Sequence, residues 1–491
     1  MTAFHKLQTG MPELDVILRG GLLKGRIHLL EGKPGTGKTS IGMQFLVKGA
    51  EQRERCLYIA LSETEQELRG TAESHDWSLD GIDICEIVPV EANLADQQSV
   101  LFPAEVELSK TIKLITDCIE KYNPTRVVID SVSEIRLLAE DAMRYRRQII
   151  ALKQFLLKRD STVLLLDDLT AEPRGYELES TVHGVILLEQ RERSFGSVRR
   201  SMRIIKMRGA DYQSGWHDFA ITKNEVLMFP SLIADEHHKE FAHEPISSDI
   251  PEMDDLLGGG MVRGNSALIL GPSGAGKSSL ALQYANAAAK RGERAAYFSF
   301  DESSETLLER ATGLSMSISD AIKRDSVHWE RINPTRISPG EFIWKVRRQV
   351  EDRDVSIVVI DSLNSYMETM HEEQALMLQM HELLSYLSNM GVLCLIIVGQ
   401  TGLLENVHDP LDVTYITDTV ILLRFYEADG AVHKAISVVK KRPGRHESTI
   451  REFTLTDSGV QVGPQLHEFE GVLTGVPRFI GKGGHEGNVP K

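Results

Sequence analysis

The sequence predicts an α/β protein of two tandem domains, each a mainly parallel sheet flanked by helices with an antiparallel extension, and three observations carry that prediction. Short apolar runs with strand character alternate with longer runs of helical composition along the chain. A glycine-rich segment between such runs, Gly32–Ser40 (GKPGTGKTS), is written again as Gly271–Ser279 (GPSGAGKSS). Residues 11–68 align without a gap onto 250–307, so that MPELDVILRGG faces IPEMDDLLGGG and Tyr58 faces Tyr297. An in-register match of that length marks duplicated domains rather than a solenoid, whose period is tens of residues.

At 491 residues the chain is too long for one ordinary core, and 42% hydrophobic residues suffice to fill two, which excludes a disordered chain. The domains are expected at 1–232 and 247–475, with a linker over 233–246 and a flexible tail over 476–491. The linker is polar and acidic, with Pro230 and Pro245 bracketing it. Its His237, His238 and His243 have no cysteine beside them, which favours a solvated linker over a metal site. The formal net charge of −16 disfavours nucleic acid and anionic membranes as partners. Cys56, Cys85, Cys118 and Cys394 form no C-x-x-C pair and read as reduced thiols. The N-terminus lacks an apolar signal core, and the longest apolar runs, such as Val392–Val398, fall short of a membrane span. A soluble, cytoplasmic protein is expected.

In the first copy, strands are expected at 26–31, 56–61, 126–130 and 162–167, with helices near 38–52, 104–121 and 142–159. The second copy repeats the strands at 265–270, 294–300, 356–360 and 392–398. Alternating segments at 184–190, 200–207, 419–425 and 433–440 supply the antiparallel extension. Ligands of such sheets sit beyond the carboxyl ends of the strands, where both glycine-rich segments fall.

Each of those segments fits G-x-x-x-x-G-K-[ST], the phosphate-binding loop, and each follows a strand and opens a helix as the motif requires. Backbone N–H groups of Gly32, Gly35, Thr36, Gly37 and Ser40, and of Gly271, Ser273, Gly274, Ala275, Gly276 and Ser279, would cradle phosphates. Lys38 and Lys277 would reach the terminal phosphate, and the hydroxyls of Thr39 and Ser278 would hold Mg²⁺. An apolar strand ending in aspartate occurs once per copy, at Asp130 and at Asp361, and such a carboxylate can complete the Mg²⁺ site. The bland alternative is a strand-terminating aspartate in a turn.

Hydrolysis also needs a group to activate water. The next strand ends in Ser62-Glu63 in the first copy and Asp301-Glu302 in the second, which makes Glu63, Asp301 and Glu302 candidates against a plain surface turn. Lys206 and Arg208, like Lys440 and Arg442, lie two apart at the end of a late strand and so share a face. Each pair is either a finger that reaches a neighbouring subunit's phosphates or a solvated basic strand tip.

The paired loops, the acidic strand ends, the Lys206–Gly209 segment (KMRG) and Leu411–Thr419 (LDVTYITDT) followed by Val420–Leu423 together resemble the KaiC family, the double-domain ATPases and autokinases of circadian clocks. The resemblance runs to about residue 478. It implies two RecA-like P-loop domains, a homohexamer of two stacked rings with ATP between neighbouring subunits, and ATP and Mg²⁺ as cofactors. It also implies a first domain that hydrolyses ATP slowly, a second that phosphorylates and dephosphorylates its own chain, and a KaiB-like protein as candidate partner. The family's adjacent phosphosites, Ser then Thr, fall on Thr414 and Tyr415. Thr414 keeps a hydroxyl of the right reach, whereas Tyr415 carries its oxygen farther out across a ring; without the family, TYITDT reads as a polar turn before a strand. The family's Glu-Glu pair becomes Ser62-Glu63 and Asp301-Glu302, Lys441 and Pro443 alter the second finger segment, and a short Gly-rich stretch replaces the long tail that docks KaiA. Two rival readings stay open: a RecA-like DNA-dependent ATPase, and a nucleotide-gated hexameric scaffold without autokinase activity.

Overall fold

The computed structural model describes residues 5–87, 104–139, 142–169, 178–192, 196–369, 376–400, 413–428, 430–467, 469–472 and 478–479. It divides into two units, Met1–Ser231 and Leu232–Lys491.

The first unit opens with a ribbon of β1 (Lys6–Leu7) and β2 (Leu22–Leu23) around helix α1 (Pro12–Ile17). Its sheet runs from β3 (Ile27–Gly32) through β4 (Cys56–Ala60), β5 (Ile82–Glu86), β6 (Arg126–Asp130), β7 (Thr162–Asp168), β8 (Gly184–Arg191), β9 (Arg199–Met207) and β10 (His217–Ile221) to β11 (Val226–Phe229). The helices are α2 (Lys38–Glu51), α3 (Glu65–Ser74), α4 (Ala104–Tyr122), α5 (Val132–Ala139), α6 (Ala142–Leu157) and α7 (Leu178–Thr181). Among the described residues the strand order is β11-β10-β9-β8-β3-β7-β6-β4-β5. β3 to β8 are parallel, and β9 to β11 continue antiparallel.

The second unit repeats this plan. A ribbon of β12 (Pro245–Ile246) and β13 (Met261–Val262) flanks α8 (Pro251–Leu256). The sheet comprises β14 (Ser266–Pro272), β15 (Arg294–Ser299), β16 (Val327–Arg331), β17 (Val355–Asp361), β18 (Leu393–Gln400), β19 (Thr419–Ala428), β20 (Ala431–Lys441), β21 (Ile450–Thr456) and β22 (Gly459–Gln465). Its helices are α9 (Lys277–Lys290), α10 (Ser304–Gly313), α11 (Ile318–Lys323), α12 (Pro339–Arg353), α13 (Leu363–Thr369) and α14 (Leu376–Asn389). The order β22-β21-β20-β19-β14-β18-β17-β15-β16 matches the first unit strand for strand. Helices cover both faces of each sheet, so its central strands are apolar on both sides. In the first unit Leu30, Met43, Phe45 and Val128 fill one face and Leu29, Ile115, Ile135 and Leu165 the other. Burying a side chain as fully as Phe45, 1% exposed, contributes about 2 kcal/mol.

Three expectations need adjustment. The segments at 184–190 and 419–425, read as part of the antiparallel extension, are β8 and β19 and run parallel to β3 and β14, so that the extension begins only with β9 and β20. Cys85 on β5 and Cys118 on α4 form a disulfide with Cα atoms 6.6 Å apart, which corrects the reading of four reduced thiols. The two are distant in sequence, and only packing of the edge strand against the helix brings them together. Cys56 and Cys394 are free, and burial pushes both thiols up to about 12. The segment read as a solvated linker is fastened to the second unit. Leu232 and Ala234 are buried in that unit's core, Asn389 Nδ2 donates to the Ala234 carbonyl at 3.0 Å, and Lys239 Nζ donates to Asp354 Oδ1 at 2.5 Å. Most of the expected tail lies outside the described residues, and its Arg478–Phe479 forms a short β24 beside β23 (Phe469–Glu470).

Candidate functional site

Each phosphate loop leaves the central strand of its sheet and enters a helix through a glycine in left-handed backbone, Gly37 at φ 101° and Gly276 at φ 102°. A side chain at either would also collide: a Cβ on Gly37 would lie 2.4 Å from Ile221 Cδ1, and one on Gly276 2.8 Å from Phe453 Cε1. The loops close identically, the N–H of Thr36 donating to the Lys33 carbonyl and that of Ala275 to the Pro272 carbonyl, both at 3.3 Å. Gly32 and Gly271 face the carbonyls of Leu188 and Leu423, where a Cβ would stand 2.8 and 2.5 Å away. Gly35 and Gly274 take positive φ on the open side of the loop, beside exposed Ser273. Ser40 and Ser279, in the first turn of α2 and α9, are buried.

Neither α2 nor α9 has a capping side chain or an acid in its first turn, whereas α3 is capped by Thr64 and α10 by Ser303. Uncapped N–H groups at the positive end of a helix dipole, with glycine backbone all around, fit a phosphate chain. Lys38 Nζ lies over the loop, donating to the carbonyls of Gly32 at 2.9 Å and Lys33 at 3.1 Å. Lys277 Nζ donates to the Pro272 carbonyl at 2.8 Å, and burial lowers its pKa.

Beside each loop the strand-end aspartate is in place. Thr39 Oγ1 donates to Asp130 Oδ2 at 2.8 Å, so the two side chains read as Mg²⁺ ligands already meet. A hydroxyl and a carboxylate are the hard oxygen donors that Mg²⁺ takes. Asp130 and Asp361 are both followed by a cis peptide bond to serine. Each also accepts from a buried tyrosine: Tyr58 to Asp130 at 2.5 Å and Tyr297 to Asp361 at 2.6 Å. Burial, and then the aspartate itself, push both phenols well above their ordinary range. Ser278 follows Lys277 as Thr39 follows Lys38.

Glu63 and Glu302 lie just past the ends of β4 and β15, half-buried. Burial, then the neighbouring Asp130, raises the Glu63 pKa. Burial also raises that of Glu302, against the pull of Arg310, whose Nη2 donates to Glu302 Oε2 at 2.8 Å. The repeat places Thr71 where Arg310 stands, so Glu63 has no equivalent cation at that position. Asp301 is exposed and turned toward two hydroxyls, accepting from Ser362 at 3.1 Å and Ser365 at 2.7 Å. In the first copy the acid sits on the other partner: Ser62 replaces Asp301, and Glu134 replaces Ser365.

The cationic pairs are held the same way in both units. Lys206 donates to the Glu179 carbonyl, and Arg208 to that of Ser180 at 2.9 Å. Lys440 donates to the carbonyls of Thr414 and Thr417, both at 2.6 Å, and Arg442 to that of Tyr415 at 2.6 Å. Each pair thus fastens the helical turn that precedes β8 or β19. Thr414 lies half-buried in that turn, whereas Tyr415 is 56% exposed. The turn sits at the N-terminal end of β19 and the loop at the C-terminal end of β14, the parallel strand beside it. The two ends lie about 15 Å apart at roughly 3.3 Å per residue.

Three acids of the first site were not singled out from the sequence. Asp168, at the end of β7, sits 2.5 Å from Lys38 Nζ. Asp167 pairs with Arg136, and burial pushes its carboxyl up to about 6. Glu31, opposite Asp167 in the β3–β7 register, is pushed up to about 7 by burial, with Glu179 and Asp167 adding to the shift. The signal was available, since TVLLLDD ends in aspartate just as RVVID does.

Among the described residues no helix is long and apolar enough to cross a membrane. The family described as ATPase: KaiC matches residues 7–232 and again 246–467. Circadian clock protein KaiC3 of a Synechocystis strain is 26% identical over 480 residues, covering 97% of this chain and 95% of the relative. The circadian clock oscillator protein KaiC of Synechococcus elongatus is 27% identical over 492 residues, 97% of this chain and 93% of the relative. Circadian clock protein KaiC2 of the same Synechocystis strain is 26% identical over 482 residues, 96% and 84%. With both halves matched, over 7–232 and 246–467, the chain belongs to the KaiC family of ATPases.

Proposed function

We propose that the chain binds Mg·ATP at both loops, hydrolyses it, and uses the second loop to phosphorylate Thr414, as a KaiC-like clock or signalling regulator that assembles as a homohexamer. The observation that carries this reading is the meeting of loop hydroxyl and strand-end carboxylate, Thr39 with Asp130, within a repeat that sets Ser278 and Asp361 at the same two places. Lys38 and Lys277 neutralise the terminal phosphates; Thr39 with Asp130, and Ser278 with Asp361, would hold Mg²⁺, which would supply charge withdrawal from those phosphates. Glu63 takes the proton of the attacking water in the first site. Glu302, with Asp301 beside it, takes the proton of water or of the Thr414 hydroxyl in the second.

Strand direction supports transfer between copies. Thr414 stands at the opposite end of the parallel strands from its own loop, so the phosphoryl donor is the loop of a neighbouring subunit. Lys206 with Arg208, and Lys440 with Arg442, sit at that same end and act as fingers across the interface, their bonds to turn carbonyls leaving further donors. Tyr415, exposed and longer, is the lesser phosphosite candidate. A KaiB-like protein is the candidate partner, and the cytoplasm the expected compartment.

The test is to incubate the full chain with γ-labelled ATP and map the label. Label on Thr414, lost in Thr414→Ala and accompanied by nucleotide-dependent six-fold assembly in native mass, is expected. ATP turnover without incorporated label leaves a plain ATPase.

A further inference from the structure

The two loops share a motif but not their surroundings. In the β3–β7 register Gly32 stands opposite Asp168, and in the β14–β18 register Gly271 stands opposite Gly399. Asp168 therefore takes, in the first unit, the place that Gly399 takes in the second. Its carboxylate lies 2.5 Å from Lys38 Nζ, with side chains 31% and 7% exposed respectively. That ammonium is the one the loop motif assigns to the terminal phosphates. Carboxylate and phosphate oxygens make the same demand on it, a short charge-assisted hydrogen bond. Asp168 also stands on a floor of polar groups, since Arg136 donates to its carbonyl at 3.3 Å and pairs with Asp167 beneath. In the second unit the register sets Val398 where Asp167 stands and Leu270 where Glu31 stands.

We propose that Asp168 is a specificity-determining residue that turns the first site toward nucleoside diphosphate over triphosphate; this rests on the nucleotide reading given above. A diphosphate asks less of Lys38, since it offers only β-phosphate oxygens and leaves the ammonium able to keep a bond to Asp168. A triphosphate brings one more phosphate against a carboxylate that already holds the ammonium, and it enters only by displacing that carboxylate or against like-charge repulsion. At the second loop a glycine replaces the competing acid, and triphosphate binds on equal terms. The first site therefore retains its product and turns over slowly, while the second stays charged with donor.

The experiment titrates the full chain with fluorescent N-methylanthraniloyl-ADP and N-methylanthraniloyl-ATP in the presence of Mg²⁺, with Lys38→Ala and Lys277→Ala assigning each transition to its loop. Asp168→Asn keeps the size and removes the charge. It is expected to raise triphosphate affinity at the first site about tenfold while diphosphate affinity and the second site stay put. The reciprocal change is Gly399→Asp, which has room, since a Cβ there would meet only Asn364 Oδ1, at 3.7 Å. It is expected to lower triphosphate affinity at the second loop by a similar factor, and it keeps the proposal falsifiable should Asp168→Asn not fold. An unchanged ATP-to-ADP ratio in these variants, with both loops binding, overturns the role of Asp168 alone. Absence of nucleotide binding at both loops of the unaltered chain overturns the nucleotide reading and this one with it.

Discussion

Glu31→Gln isolates what a buried carboxyl costs the first unit. Glu31 is 6% exposed, and burial with the help of Glu179 and Asp167 pushes its carboxyl up to about 7, against 4.5 in an unfolded chain. The folded state therefore holds a proton that the unfolded state has released across pH 4.5 to 7. Stability falls as pH rises through that window, because the folded chain binds more protons there. At 1.36 kcal/mol per unit, the full loss above pH 7 is on the order of 3 kcal/mol. Glutamine keeps the shape and has no charge to bury, so the variant should match the unaltered protein near pH 4.5 and exceed it by on the order of 3 kcal/mol at pH 8. Urea-dependent amide hydrogen exchange of peptides spanning β3 and β7 reads this directly, once corrected for intrinsic rates. Peptides of β14, where Leu270 takes the place of Glu31, serve as an internal reference. A difference of equal size at both pH values would show that the gain comes from packing and not from proton linkage.

Gly37→Ala should abolish nucleotide binding at the first loop only, since its Cβ meets Ile221 at 2.4 Å and its φ of 101° costs a non-glycine residue about 1–3 kcal/mol; calorimetric titration with ATP is the check, and retained stoichiometry at both loops would refute it. Arg310→Thr, copying Thr71, removes the cation that holds the Glu302 pKa down, so the acid limb of second-site hydrolysis should move to higher pH in a Lys38→Ala background. An unmoved limb would take Glu302 out of the proton transfer. Under oxidising conditions differential alkylation should leave Cys85 and Cys118 unlabelled. Cys85→Ser should then cost about 3–4 kcal/mol, the chain-entropy estimate for a separation of 33 residues, and nothing under reductant.

The core of each sheet was legible because its strands are buried on both faces and so read as unbroken apolar runs, Val127–Ile129 and Ile357–Ile360 among them. The edge strands β5 and β16 were not, because IDICE and VHWER each have only one well-buried residue and carry charges between their apolar ones. In the site, the candidates legible from the sequence were those the chain writes contiguously: the loops, Asp130 and Asp361, Glu63 and Glu302. Tyr58, Tyr297 and Arg310 were missed because strand register or helix packing, not sequence spacing, brings them to the loop, whereas Asp168 was passed over although TVLLLDD carries the same strand-end signal as RVVID. Tyr58 facing Tyr297 was visible in the repeat, but no motif says that a tyrosine belongs on the strand-end aspartate. The finger pairs were read as facing outward, and the structure shows what they fasten in their own chain.

The segment 232–246 bears on how this protein can be cut. Leu232 and Ala234 lie in the core around α14, and Asn389 and Lys239 tie the stretch down further along. A C-terminal fragment that starts at residue 247 would leave a hydrophobic groove open along α14 and strip one strand from the β12–β13 ribbon. A fragment that starts at Leu232 keeps both. The natural seam of the chain therefore precedes the polar stretch, and a fusion or protease site placed at residue 246 would divide a folded unit, whereas one placed at Ser231 would separate two.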